Sequence, residues 1–161
     1  MVGNPQSLAL QSWLSDGQSF MQRLRKHRLQ PHVAVLREQW AAPELQEQQS
    51  LRIPSRRHAF IREVEIREDG QPWMFARTVI PAATLTGRER ILARMEQRSL
   101  GSVLFSYPTL VRSPFEIKTC QLPRYSRSPL WERQSFFILK GKILLLREVF
   151  LPPLVRFIES L

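Results

Sequence analysis

The sequence predicts an α+β fold in which helices pack on one side of an antiparallel β-sheet. Three observations support this class. Helical segments precede most of the strands, two pairs of strands are joined by short turns, and one helical segment crosses between strands. The chain has 161 residues, the size of one ordinary domain. Residues 1–161 are therefore predicted to form a single domain.

Two short helices are predicted before the first strand. They cover residues 7–14 (SLALQSWL) and residues 19–27 (SFMQRLRKH). Ser19 suits the N-cap of the second helix, because a serine hydroxyl accepts a hydrogen bond from a free backbone N–H of the first turn. Residues 32–38 (HVAVLRE) then predict the first strand.

A β-hairpin is predicted in the next part of the chain. In the segment HAFIREVEIRE, Phe60, Val64 and Ile66 lie on one face of a strand by alternation. Asp69 and Gly70 follow, and Asp-Gly is a strong signal for a two-residue hairpin turn. The return strand is therefore expected to pair antiparallel with the first.

The return strand is GQPWMFARTVIP, residues 70–81. Pro81 ends it, since proline cannot donate a hydrogen bond within a sheet. Thr84 or Thr86 is then expected to cap a helix through GRERILARMEQ.

The C-terminal half predicts further strands. TLVRSPFEIKT places Val111, Phe115 and Ile117 on one face, and WERQSFFILK and KILLLREVFL form a second hairpin around Gly141. After two prolines, LVRFIESL is expected to be a short tail.

The formal net charge is +10, which raises the question of an anionic partner. Basic residues cluster at residues 23–28 (RLRKHR) and at residues 56–57, and many others stand next to acids. A solvated basic surface is the favoured interpretation, and attraction of a small anion is the second. Nucleic acid is the least favoured partner, because no binding motif and no basic stripe with interleaved aromatic residues is present.

Several other chemistries find no support in the sequence. Cys120 is the single cysteine, so it has no intramolecular disulfide partner, and it is expected to be a buried or half-buried residue in a reducing compartment. His27, His32 and His58 lack metal-ligand spacing and are expected at the surface. There is no Gly-rich phosphate loop and no dinucleotide fingerprint. No metal or cofactor is therefore predicted.

No targeting segment and no membrane span is predicted. The N-terminus lacks a charged start followed by a long apolar run, and the longest clean apolar run is ILLL at residues 143–146. A soluble, cytoplasmic protein is the expectation.

Charged residues stand on strand faces that otherwise look apolar. Arg77 alternates with Trp73, Phe75 and Val79, Arg62 lies on the face of Phe60 and Val64, and Glu148 lies on the face of Leu144, Leu146 and Phe150. Burial of an isolated charge costs several kcal/mol, so each of these groups needs a partner or a ligand.

Two interpretations of these charges stay open. In one, Glu148 and an arginine form a structural ion pair. In the other, Arg77 grips a ligand carboxylate through its planar fork, and Glu148, with a pKa raised by its aliphatic surroundings, exchanges a proton near neutral pH. Phe20 and Leu100 follow the cap candidates Ser19 and Ser99, where free backbone N–H groups favour anions, but both also fit as ordinary apolar residues.

Four sequence blocks together resemble one known family. DGQPWMFARTVIP, SLGSVLF, LWERQS and LLLREVFLP, with their spacing, are similar to the chorismate pyruvate-lyase family of bacterial ubiquinone synthesis, from about Ser12 to Pro152. The resemblance implies an α+β domain whose ligand site is enclosed by helical flaps. It also implies conversion of chorismate to 4-hydroxybenzoate and pyruvate without a metal or organic cofactor.

The resemblance also implies site residues. It assigns the substrate-binding arginine to Arg77 and the acid to Glu148, both catalytic, with further substrate contacts at Leu100 and Phe20. Phe20 departs from a methionine in a relative, which is harmless if the backbone amide makes the contact; otherwise its ring narrows the pocket or Met21 takes over the contact. Arg62 either anchors the enolpyruvyl carboxylate or holds Glu148, and the second role is favoured.

The alternative function is a binding module. The implied fold also serves as the effector-sensing half of some bacterial transcription regulators, which need a DNA-binding partner domain. The residues before the first strand are too few for a helix-turn-helix with its own core. The expected ligands are chorismate and 4-hydroxybenzoate, and the expected state is a monomer with no nucleic-acid partner and no membrane insertion.

Overall fold

The computed structural model describes Pro5 and residues 7–161. These residues form α-helices, strands and two short 3-10 helices. The α-helices are α1 (Leu8–Leu14), α2 (Phe20–Lys26), α3 (Leu45–Leu51), α4 (Leu100–Leu104) and α5 (Pro152–Glu159). The strands are β1 (His32–Ala41), β2 (Ala59–Glu68), β3 (Gln71–Ile80), β4 (Val111–Arg112), β5 (Glu116–Cys120), β6 (Leu130–Leu139) and β7 (Lys142–Phe150). The 3-10 helices cover Ala82–Thr84 and Gly87–Ala93.

All seven strands form one antiparallel sheet, and this confirms the predicted α+β class. The strand order is β1-β2-β3-β7-β6-β4, and β5 also pairs with β6. Both predicted hairpins are present. Asp69 and Gly70 turn between β2 and β3, and Lys140 and Gly141 turn between β6 and β7, with all four residues at positive φ. Such left-handed pairs match the right-handed twist of the strands.

One face of the sheet carries the main core, and we call it the pocket face. It includes Val64 of β2, Ala76 of β3 and Leu146 of β7. Helices α1, α2, α4 and α5 contribute buried residues to this same core, among them Trp13, Leu24 and Leu154. The prediction of helices packed on one side of the sheet holds for these four helices.

The opposite face, the reverse face, has a cover that the sequence prediction missed. Ile61 of β2, Val79 of β3 and Leu145 of β7 pack against Leu51 of α3. A capping box between Glu44 and Glu47 starts this helix. The central strands are therefore buried on both faces, and an apolar run in them does not tell the two faces apart.

Three other segments differ from the prediction. GRERILARMEQ forms a 3-10 helix at Gly87–Ala93, and the Thr86 side chain makes no capping hydrogen bond. Val111 is 56% exposed and belongs to a separate short strand from Ile117, since Pro114 lies between them. The expected tail is helix α5, which begins at Pro152 and buries two of its residues.

Candidate active site

A cavity of about 80 Å³ lies between the pocket face and the first turns of α2 and α4. Its apolar lining includes Met21, Val64, Ala76, Leu100, Phe137 and Leu146. Four charged side chains also line it, and we call them the pocket group: Arg62, Arg112, Arg133 and Glu148.

Small side chains at the centre of the sheet leave room for this cavity. Ala76 pairs with Glu148, and Thr78 pairs with Leu146 and with Arg62. Cross-strand partners lie on the same face of a sheet, so the long charged side chains project beside two short ones. Phe20 and Leu100 approach the same space from the helices above.

The two helix starts are built as predicted. Ser19 Oγ accepts a hydrogen bond from the N–H of Gln22 at 3.3 Å, and Ser99 Oγ accepts one from the N–H of Ser102 at 3.2 Å. Phe20 and Leu100 are the first residues of α2 and α4 and line the cavity. Their side chains are also buried in the core, so the apolar interpretation holds for the side chains.

Glu148 lies between two guanidinium groups. Its Oε1 accepts hydrogen bonds from Arg133 Nε at 2.9 Å and Arg112 Nη2 at 3.1 Å, and its Oε2 accepts one from Arg133 Nη2 at 3.2 Å. The predicted face with Leu144, Leu146 and Phe150 is confirmed. The idea of a carboxyl surrounded only by aliphatic groups is wrong. The ion-pair interpretation of Glu148 describes its surroundings correctly, with partners that the sequence prediction did not name.

Arg133 ties Glu148 to the end of α1. Its Nη1 donates to the carbonyl oxygens of Trp13 at 3.0 Å and Asp16 at 2.9 Å. Arg133 is only 2% exposed, and its guanidinium is stacked over the ring of Phe115 at 4.5 Å. The α1–α2 segment is thereby fixed against the sheet.

Arg112 reaches Glu148 from the edge of the sheet. Its Nε donates to Ser135 Oγ at 3.0 Å and its Nη1 to the Gly17 carbonyl at 3.4 Å. The rings of Phe115 and Phe137 lie 4.3 and 4.7 Å from its guanidinium carbon. Burial lowers the pKa of Arg112, and the opposing charge of Glu148 offsets part of this effect.

Arg62 lines the cavity from β2 and makes no ion pair with Glu148. Its Nε donates to Glu38 Oε1 at 3.1 Å, and its Nη2 donates to the carbonyls of Glu96 at 3.0 Å and Arg98 at 2.7 Å. Burial lowers the pKa of Arg62, and Glu38 offsets this only in part. The favoured expectation that Arg62 holds Glu148 is wrong, since β3 lies between their strands.

Arg77 does not line the cavity. It pairs with Glu63 and Arg147 across the strands, and its side chain lies on the reverse face. Its Nε and Nη2 each donate to Glu47 at 2.8 Å, and its Nη1 donates to Glu63 at 3.0 Å. The prediction that Arg77 and Glu148 face each other across a ligand is therefore wrong, because the two side chains project from opposite faces.

Arg77 belongs to what we call the reverse-face ladder: Glu63, Arg77, Glu47, Arg147 and Glu132. Arg147 donates from Nη1 to Glu47 at 2.9 Å and from Nε to Glu132 at 2.6 Å. Burial by itself lowers the pKa of Arg77, but the hydrogen bonds and charges of Glu47 and Glu63 outweigh burial and leave its pKa above the usual arginine value.

Cys120 lies near this ladder and is half-buried. Burial, together with the nearby Glu132 carboxylate, raises the pKa of its thiol to about 11, which disfavours the reactive thiolate. Among Pro5 and residues 7–161, no three His, Cys, Asp or Glu side chains form a group able to hold a metal ion. None of the helices in that part of the chain has the length and apolar character needed to span a membrane.

The chain matches a known family along almost its whole length. The sequence model of the family described as "Chorismate lyase" matches residues 4–157. This chain belongs to the chorismate lyase family. The resemblance seen in the four sequence blocks is thereby confirmed.

Curated relatives agree with the chorismate lyase assignment. A protein of Marinobacter nauticus named "Probable chorismate pyruvate-lyase" is 38% identical over 141 residues, which cover 84% of this chain and 75% of the relative. The chorismate pyruvate-lyase of Pectobacterium carotovorum is 34% identical over 140 residues, covering 87% and 75%. That of Salmonella arizonae is 35% identical over 143 residues, covering 89% and 82%.

Solved structures similar to this chorismate lyase family member include the protein PhnF and an effector domain. The crystal structure of PhnF from Mycobacterium smegmatis has a TM-score of 0.63 at 11% identity, covering 86% of this chain and 65% of PhnF. Its effector domain has a TM-score of 0.59 at 12% identity, covering 84% and 89%. At such low identity the likeness shows a shared fold only.

Proposed function

We propose that this chain is a chorismate pyruvate-lyase, which eliminates pyruvate from chorismate to leave 4-hydroxybenzoate, the first step toward ubiquinone. The observation that carries the proposal is a cavity with three guanidinium groups and one central carboxylate, in a member of the chorismate lyase family. A pocket with this surplus of positive charge suits a small dianion.

The reaction balances without an oxidant or a reductant. C4 of chorismate loses its hydrogen as a proton, and the C3–O ether bond breaks. The C4–H electron pair forms the C3–C4 double bond, so the ring becomes aromatic and keeps its C4 hydroxyl. Enolpyruvate leaves, takes up a proton and becomes pyruvate. Because aromatisation drives the step, orientation and charge placement are the main tasks of the protein.

Arg62 takes the role that the sequence assigned to Arg77. Its Nη1 makes no hydrogen bond to the described residues and belongs to a guanidinium that lines the cavity. The backbone N–H groups of Phe20 and Leu100, at the first turns of α2 and α4, support it. Together these three residues hold the ring carboxylate of chorismate.

Glu148 receives the C4 hydroxyl at the other end of the ring. Each carboxylate oxygen has two acceptor positions. Oε1 already accepts two hydrogen bonds and Oε2 one, so one position on Oε2 remains. This position can accept the hydrogen of the C4 hydroxyl, and we therefore propose that Glu148 orients the hydroxyl.

The proposal also covers cofactor, oligomeric state, location and nucleic-acid partners. The pocket offers charged side chains and backbone donors for the whole substrate, so the proposed reaction needs no cofactor. A single chain supplies all the groups named, so we propose that the protein acts as a monomer, and we propose the cytoplasm as its location. No step calls for a nucleic acid.

A ligand-sensing module is the second candidate, because a ligand-binding domain of a transcriptional regulator shares this fold and an enclosed pocket with charged groups also suits binding without turnover. Purified protein incubated with chorismate distinguishes the two functions. A lyase produces 4-hydroxybenzoate, followed by its ultraviolet absorbance, whereas a sensing module binds without turnover. Absence of product above the uncatalysed rate would contradict the lyase proposal.

The variant Glu148→Gln tests the role of the acid. It keeps the shape of the side chain and removes the charge, so an orienting Glu148 predicts a fall in kcat below about tenfold, whereas a proton acceptor predicts a larger fall. Stopped-flow and steady-state rates should both be measured, because slow release of product can mask the chemical step. A loss of 100-fold or more (about 2.7 kcal/mol) in the stopped-flow rate would rule out an orienting role.

A further inference from the structure

The proposed substrate carries two carboxylates, and Arg62 with the two backbone N–H groups binds only one of them. Chorismate has its ring carboxylate on C1 and its hydroxyl on C4, at opposite ends of the ring. The second carboxylate belongs to the enolpyruvyl ether on C3, next to C4. With the ring carboxylate at Arg62 and the hydroxyl at Glu148, the second carboxylate lies at the Glu148 end.

The distance between the two ends fits this orientation. Arg62 is on β2 and Glu148 is on β7, with β3 between them. Neighbouring strands are about 4.8 Å apart, so the two backbones are separated by about 10 Å. Both side chains line the cavity, on either side of Ala76 and Thr78, and a separation of this order accommodates a six-membered ring with its substituents. The carboxylate on the ether therefore needs a cation close to Glu148.

Two cations adjoin Glu148, and they differ in the donors that remain. A guanidinium carries five N–H groups. Arg133 uses four of them, two for Glu148 and two for the carbonyls of Trp13 and Asp16. Arg112 uses three within the described residues, and one of these is a long contact of 3.4 Å to the Gly17 carbonyl. Arg112 thus has more capacity for a further anion.

Position and exposure agree with the donor count. The Arg133 side chain is 2% exposed and the Arg112 side chain is 16% exposed. Arg112 is on the two-residue strand β4 at the edge of the sheet, beside the α1–α2 connection at Gly17. Two aromatic rings hold its guanidinium plane, which limits the conformational freedom lost when a carboxylate binds.

We infer that Arg112 binds the enolpyruvyl carboxylate of the substrate and so selects for a dianion with its second carboxylate on the ether at C3. The inference rests on the proposed function. Once the ether bond breaks, this carboxylate leaves with pyruvate, and 4-hydroxybenzoate no longer has any group for Arg112. Arg112 therefore discriminates between substrate and product, whereas Arg62 contacts both.

The test compares two ligands on the variants Arg112→Gln and Arg112→Lys. Loss of a charge-assisted hydrogen bond to the substrate lowers kcat/KM for chorismate at least about tenfold in Arg112→Gln. Arg112→Lys keeps a cation and recovers part of this loss. The Kd for 4-hydroxybenzoate, measured by calorimetry, changes by less than about twofold in both variants, because Arg133 still holds Glu148.

Arg23→Gln is the matched control. Arg23 also stacks on an aromatic ring and pairs with Asp16 near the same connection, but it does not line the cavity around Glu148. Chorismate kcat/KM in this variant is expected to change less than about threefold, through long-range electrostatics only.

The other possible results of this experiment show whether the inference about Arg112 is wrong. Unchanged kcat/KM for chorismate in Arg112→Gln, or an equal loss for chorismate and 4-hydroxybenzoate, overturns the inference and leaves the proposed function intact. A wild-type protein without lyase activity overturns both. If Arg112→Gln fails to fold, Arg112→Lys decides: a loss for chorismate that 4-hydroxybenzoate does not share supports the inference, and an equal loss for both ligands counts against Arg112.

Discussion

The two faces of the sheet carry similar chemical groups with different surroundings. On the reverse face, all three nitrogens of Arg77 donate to carboxylate oxygens. On the pocket face, Arg112 divides its donors among a hydroxyl, a carbonyl and one carboxylate, and Arg62 meets one carboxylate and two carbonyls. Only the second arrangement lines the cavity under α2 and α4.

The charge balance of the two groups differs as well. The pocket group has three arginines, and their carboxylate partners are Glu38 and Glu148. In the reverse-face ladder, two arginines meet three glutamates. With the flanking partners Lys118, Arg37 and Glu44, four cations face four carboxylates, so the charges balance. A buried arginine is therefore not in itself a sign of a ligand site. Surplus positive charge beside a cavity is the better sign.

The largest expected effect on activity is that of Arg62→Met. Without its charge-assisted contact to the ring carboxylate, kcat/KM for chorismate should fall roughly 150-fold or more. This fall corresponds to a loss of about 3 kcal/mol of transition-state stabilisation. The affinity for 4-hydroxybenzoate should fall too. Arg67→Met is a suitable control, since Arg67 is on the same strand and outside the cavity. If a folded Arg62→Met protein retained its turnover, the ring carboxylate would have to bind at another place in the protein.

Arg77→Met should give the opposite pattern. It leaves Glu47 and Glu63 short of a partner on a covered face, which costs about 3 kcal/mol of unfolding free energy. Because Arg77 lies away from the cavity, kcat/KM of the folded variant should stay within about threefold of wild type. Urea unfolding and chorismate turnover on one preparation check both statements. A tenfold loss of activity without loss of stability would contradict the division between the two faces.

The smallest expected effect is a pH dependence of stability from Glu47. Burial by itself raises the pKa of Glu47, but hydrogen bonds from Arg77 and Arg147 outweigh burial and hold the pKa below its usual value. A lowered folded pKa stabilises the protein above the unfolded value, and this stabilisation is lost as pH falls through the folded value. Unfolding free energy should therefore decrease below about pH 5.

Glu47→Gln should flatten this decrease, because the amide does not titrate. Urea unfolding between about pH 6 and pH 3 measures the slope. Glu159→Gln removes an exposed carboxyl at the end of α5 and should leave the slope unchanged. Equal slopes for wild type and Glu47→Gln would show that other carboxylates control the acid response.

The separation of Arg62 from Arg77 was not within reach of the turn rule. A regular two-residue turn at Asp69 and Gly70 would pair Arg62 with Arg77, but a register shift between Ile66 and Arg67 pairs Arg62 with Thr78 and Glu63 with Arg77 instead. Since paired residues share a face and neighbours in a strand do not, Arg62 and Arg77 must lie on opposite faces. The apolar neighbours of Arg77 also concealed this, because α3 covers the reverse face and makes it apolar too.

Arg133 left a signal in the sequence. It alternates with Phe137 and Leu139 along β6, in the same way that Arg62 alternates with Phe60 and Val64. Arg112 has no such signal in the sequence, because its strand has only two residues and one of them, Val111, is exposed. Its contact with Glu148 depends on β4 pairing with the far side of β6.

The sequence by itself determined the α+β class, both hairpins, the caps at Ser19 and Ser99, and the family. These follow from local rules, namely residue alternation, turn chemistry and capping, and from a pattern spread along the chain. The tertiary structure alone decided which arginines meet Glu148 and which face α3 covers. Such contacts join residues up to about a hundred positions apart, as between Arg147 and Glu47. Strand order and helix packing set these contacts, and no short stretch of sequence encodes them.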